Sequence, residues 1–179
     1  MVVDAAELNL QTLAALLEAQ GRAIGLELRA LPPALCRWRP GPPDSEEWSA
    51  NETLGHLIEA ERRGFNGRIR RILAEESPPL PGWNQVEVAA ARRDAEQEPA
   101  ALLAEFEALR ADSLALVRGL APAQLDRGGE HAQVGWVTVR DLLHEWQHHD
   151  RNHVKQIFSI VQSYVWPSMG NCRRFAEVD

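Results

Sequence analysis

The chain has 179 residues, is 45% hydrophobic and 25% charged, and carries a formal net charge of −7, which fits one globular domain spanning residues 1–179. The acidic balance argues against partners such as nucleic acid, whose phosphate backbone calls for a basic patch. No apolar run approaches the roughly eighteen residues of a membrane span, and residues 1–10 lack the basic-then-apolar order of a signal peptide, so a cytoplasmic protein acting on a small molecule is expected.

The first element is a helix over 4–31. Asp4 with Glu7 three positions on reads as its cap, and Leu10, Leu13, Leu17, Ile24, Leu28 and Leu31 recur at helical spacing. Pro32 and Pro33 end it, and the breaker-rich residues 32–48 form a loop. Ser49 and Glu52 make a capping box that opens a second helix running to about Glu76. Leu54, Leu57, Ile58, Phe65, Ile69, Ile72 and Leu73 form its apolar face, flanked by the stripe Thr53, His56, Ala60, Gly64 and Gly67. The run Arg62, Arg63, Arg68, Arg70 and Arg71 reads as a solvated face diluted by nearby glutamates. Glu61 falls on the apolar side, either as a partly exposed or arginine-paired carboxylate or as an acceptor behind a metal ligand.

Residues 77–98 read as a loop followed by one short helix. Pro99 suits the first position of a third long helix, which ends near Gly119. Residues 121–137, with Gly128, Gly129 and Gly135, form another connection. Thr138 with Asp141 caps a last helix over 138–165, and the tail beyond reads as irregular. Cys36 and Cys172 lack metal-ligand spacing and are expected to be free thiols. Trp48, Trp83 and Trp146 read as core packing, with pocket-lining as the alternative. Four long amphipathic helices with almost no strand signal predict an all-α fold. It is a four-helix bundle with a short extra helix in the connection between the second and third long helices.

Four of the six histidines lie on the last helix. His144-Glu145-Trp146-Gln147-His148 matches the H-E-x-x-H zinc-peptidase pattern. No third ligand follows at a suitable spacing, and the pair shares a polar stripe with Arg151 and Lys155. His149 and His153 instead share the stripe of Leu142, Trp146, Ile157, Ile160 and Tyr164, so both rings point inward one turn apart. Two stacked inward rings need partners for four nitrogens. Hydrogen bonds are one answer, and one shared metal ion is another. Glu145, one turn before His149, is a further possible ligand or acceptor. His56 is the main candidate for a third ligand, since His131 sits in a Gly-rich connection. Spacing alone leaves its role open.

Three segments resemble a known family. They are Trp48-Ser49 with His56-Leu57, the LLAEFEALRADSLALVRGL helix, and GWVTVRDLLHEWQHHDRNHVKQI. Together they are similar to the DinB-like four-helix bundle superfamily, which includes transferases using bacillithiol or mycothiol. The family's name comes from induction by DNA damage, a stress-response association that says nothing of DNA binding. The resemblance implies that His56, His149 and His153 bind one divalent metal; by donor type three imidazoles suit zinc or nickel foremost, with iron or copper as alternatives. Three imidazoles with an open position make a catalytic type of site, where bound water or a coordinated thiol loses its proton near neutrality. The expected activity is thiol S-transfer with a low-molecular-weight thiol as cofactor. The alternatives are a metal-dependent hydrolase, or a non-enzymatic ligand-binding or interaction module. Basic groups able to hold a thiol's carboxylates would favour the transferase, and Arg140, Arg151 and Lys155 are the nearest in sequence. No general acid or base is readable. A homodimer is expected from the resemblance, but no interface is visible.

Overall fold

In the computed structural model, which describes residues 8–42 and 45–176, four long helices enclose two apolar clusters. Helix α1 (Leu10–Ala30) starts where the Asn9 side chain accepts a hydrogen bond from the Thr12 amide. This start is later than the sequence predicts, and the Asp4–Glu7 cap lies outside the described residues. A one-turn helix, α2 (Pro33–Arg37), interrupts the expected loop.

The second long helix is continuous in path but changes pitch. It comprises α3 (Ala50–Glu59), a π-helical turn (Ala60–Phe65) and α4 (Asn66–Ala74). The Ser49–Glu52 capping box is complete at its start. Gly67 is required just after the π turn, because a Cβ there would come within 2.3 Å of the Arg62 carbonyl oxygen. The short extra helix is α5 (Gln85–Arg92). It is followed by α6 (Pro99–Arg118), with Pro99 in its first turn, and by α7 (Val139–Val165), opened by a Thr138–Asp141 capping box. The tail, expected to be irregular, forms a 3₁₀ stretch (Trp166–Cys172) and α8 (Arg173–Ala176).

Both α1 and α3 pack against α6 and α7, so the first two long helices lie diagonally across the bundle. Each long helix changes character midway. One apolar cluster takes Leu13 and Leu17 of α1, Phe65 and Ile69, Leu114 and Val117 of α6, and Leu143 and Trp146 of α7. The other takes Ile24 and Leu28, Leu54 and Ile58, Leu102 and Phe106, and Ile157 and Ile160. Between these positions, every long helix contributes buried polar side chains: Gln20, Glu61, Arg110 with Ser113, and Gln147 with Asp150. Arg110 donates to Glu61, to Asp150 Oδ2 at 2.6 Å and to the Leu17 carbonyl at 2.8 Å. Ser113 donates to the other oxygen of Glu61. Gly21 lets Arg110 lie this close to α1, since a Cβ there would sit 3.2 Å from Arg110 Cγ. Glu61 is therefore arginine-paired as one reading expected, but at 1% exposure it is not partly exposed.

A small sheet, unexpected from the sequence, caps one side. Strand β1 (Pro79–Leu80) pairs parallel with β2 (Gly128–His131), which pairs antiparallel with β3 (Gly135–Thr138). Strands of two to four residues built around glycines carry no readable alternation. The sheet sets Leu80 opposite His131 and so brings two distant connections together.

Candidate metal centre

His56 stands in the second turn of α3, and His149 and His153 stand one turn apart on the neighbouring α7. The Nε2 atoms of His56 and His149 are 3.0 Å apart. One ring nitrogen from each of the three residues lies within 4.8 Å of the others. Donors bound tetrahedrally to one ion at ordinary metal–nitrogen distances stand about 3.3 Å apart, so the set matches a shared ion in chemistry and spacing.

The far sides of two rings are held. His153 Nδ1 lies 2.9 Å from Gln156 Oε1, and His149 Nδ1 lies 3.4 Å from Asp150 Oδ1. An acceptor behind Nδ1 fixes the tautomer that leaves the Nε2 lone pair facing the centre. Burial, reinforced by the neighbouring His153 and His149, pushes the His56 pKa down to about 3. Burial, with His149 alongside, also lowers that of His153. Both rings are thus neutral at pH 7, the state a metal ligand needs. Burial alone would raise the Asp150 carboxyl, but Arg110 and the His149 ring outweigh it and hold the group below its usual range.

Aromatic rings fix the surroundings. Phe65, delivered by the π turn, stacks on Trp146 at 4.8 Å between centroids and meets the His149 ring edge-on at 5.2 Å. Trp48 and Trp83 flank His56 at 5.2 and 5.8 Å. These two tryptophans line a cavity of about 560 Å³ whose wall includes all three histidines, whereas Trp146 is fully buried core. Tyr164, expected on the inward stripe, lies past the core, half exposed and edge-on to Trp38.

Among the described residues, the histidine triad is the one cluster with metal-ligand proximity. The H-E-x-x-H pair is not part of it. His144 turns back to the Arg140 carbonyl at 2.8 Å, and His148 is exposed. Glu145 lines the cavity without joining the cluster. Arg140 is occupied by Asp126, Arg151 by Gln147, and Lys155 is exposed.

The cationic group in the cavity wall is Arg68, which the sequence places on a solvated face. Twelve residues after His56, an ideal helix would set it about a third of a turn away. The wider π turn brings it round to the same side. His131, raised by the sheet, meets Arg68 there, with Nε2 3.0 Å from Arg68 Nη2. The sequence carries no signal for that pairing. Asp150 was likewise missed as an acceptor, although it lies within the HDRNH segment.

The DinB superfamily profile matches residues 15–157. No curated protein matches the chain. Solved structures share the fold. YfiT from Bacillus subtilis, described as a probable metal-dependent hydrolase with an unusual four-helix bundle topology, superposes with a TM-score of 0.77 at 17% identity. That match covers 92% of this chain and 91% of YfiT. The mycothiol-dependent maleylpyruvate isomerase superposes with a TM-score of 0.71 at 15% identity, over 87% of this chain and 63% of the isomerase. With a profile match across most of its length and the bundle topology of these structures, the chain belongs to the DinB superfamily.

Proposed function

We propose that the protein is a metal-dependent enzyme that activates a small thiol at His56, His149 and His153 for transfer to, or isomerisation of, a small electrophilic substrate. The observation that carries this reading is the opening of three converging imidazoles into a cavity large enough for a small molecule. A divalent ion held there, zinc or nickel by donor type, supplies positive charge that lowers the pKa of a coordinated thiol or water. The chain's own residues do the rest. Gln156 and Asp150 orient the His153 and His149 rings. Trp48 and Trp83 pack beside the His56 ring. Glu145, the one carboxylate among the described lining residues, is our candidate acceptor for the proton that the thiol gives up.

The cavity cation Arg68 favours a thiol bearing carboxylates over bare water. A hydrolase remains the second reading, supported by the description of YfiT and by the same Glu145 serving as acceptor for a proton from water.

Mass spectrometry of zinc- or nickel-loaded protein, incubated with a small thiol and an electrophile, tests the proposal. A metal-dependent thioether product is expected. Its absence across several thiols, with ester or amide hydrolysis appearing instead, would replace the first reading by the second. Elemental analysis comes first: about one ion per chain is expected for the wild type, and its loss in His56→Ala.

A further inference from the structure

Arg68 differs from the arginines around it. Arg62, Arg63, Arg70 and Arg71 each face a carboxylate. Arg68 is partly buried and faces none among the described residues. Its Nη2 donates to the Pro81 carbonyl at 3.3 Å and meets His131 Nε2 at 3.0 Å, while its Nε has no hydrogen-bond partner. In a chain with 26 acidic and 19 basic residues, an arginine with no carboxylate among the described residues stands out. A guanidinium withdrawn from water without an anion is costly, and burial draws its pKa down. The His131 and Pro81 contacts fix its plane, so the group is preorganised rather than loose.

Two cavities meet at this side chain. One is the 560 Å³ cavity over the histidine triad. The other, of about 290 Å³, is lined by Arg63, Arg68 and Arg71 with Leu80 and Trp83, and among the described residues no acidic one contributes to its wall. Arg68, Gly82 and Trp83 belong to both. A ligand lying across Trp83 would have one end at the triad and the other among the arginines. Arg63 and Arg71 already share their charge with Glu59 and Glu75. One uncompensated positive charge remains, which matches a carboxylate better than a doubly charged phosphate.

We propose that Arg68, backed by Arg63 and Arg71, is a carboxylate subsite holding the anionic end of the small thiol whose sulfur reaches the His56–His149–His153 centre. This rests on the reading of that centre as thiol-binding, and the two claims are separable.

The test is calorimetric titration of the zinc-loaded full chain with mercaptosuccinate, a thiol carrying carboxylates, and with 2-mercaptoethanol, which carries none. Wild type is expected to prefer mercaptosuccinate. Arg68→Met should weaken it by about 10-fold or more while leaving 2-mercaptoethanol within about twofold. His56→Ala should weaken both. Arg68→Lys, which keeps the charge and loses the fork, should fall between wild type and Arg68→Met, and it carries the test if the methionine variant melts early. The subsite is overturned if wild type shows no preference, or if Arg68→Met binds mercaptosuccinate as wild type does or loses both thiols equally. A preference that needs Arg68 but ignores His56→Ala and zinc removal would keep the subsite and refute the thiol-binding centre. Dependence on His56 and zinc without dependence on Arg68 would do the reverse.

Discussion

At the scale of single residues, Arg110 is the one buried arginine among the described residues. It is 5% exposed, and its guanidinium joins Glu61 and Asp150, each 1% exposed. Replacing it by methionine keeps much of the volume but strands two buried carboxylates. Arg110→Met is expected to lower unfolding stability by about 3–5 kcal/mol, read by urea denaturation. A cost near zero would mean that water reaches the layer. Residue-level legibility was uneven. The inward setting of His149 and His153 was readable from their spacing of four on an apolar stripe. Spacing alone left His56 open, and only the family resemblance raised it. Arg68 and His131 were unreadable, since one depends on the pitch of the π turn and the other on pairing between connections 51 residues apart in sequence, Leu80 against His131.

At the scale of elements, the helix starts were legible wherever capping chemistry is local. Thr138 donates from both its hydroxyl and its backbone amide to the Asp141 carboxylate, and these bonds hold that carboxyl below its ordinary range. A group whose pKa is depressed on folding stabilises the fold above its unfolded pKa of about 3.9 and stops doing so as pH falls through the lower folded value. Asp141→Asn should therefore cost at most about 1 kcal/mol at pH 7, reduced by the exposure of the pair. The gap from wild type should close in melts once the pH has fallen through the depressed folded value of that carboxyl. The π turn was not legible, because its sequence, AERRGF, looks helical. Gly67→Ala decides which effect rules there. Helix propensity favours alanine by about 1 kcal/mol. The 2.3 Å approach to the Arg62 carbonyl opposes it and should win, giving net destabilisation of about 1–3 kcal/mol by chemical denaturation.

At the scale of the whole molecule, the bundle and its extra helix followed from four periodic segments. The diagonal placement of the first two long helices did not, because sequence order carries no information about which faces pair. The triad joins helices whose contributing residues, His56 and His149, are 93 positions apart. An ion held only by the native state should raise stability by about 2.7 kcal/mol at a hundredfold excess over Kd. For a chain of this size that is roughly 5–11 °C in Tm. Zinc should produce such a rise in wild type, and little or none in His153→Ala, by scanning calorimetry.

The charged layer at mid-bundle has a bearing on the triad that neither shows alone. Sliding the second long helix, α6 or α7 by one turn would drive Glu61, Arg110 or Asp150 into hydrocarbon and abandon its partners, so the layer acts as a ratchet tooth that permits a single axial setting of these three helices. The three imidazoles inherit their meeting point from that setting, which reaches α3 through Glu61 and α7 through Asp150, the residue next to His149.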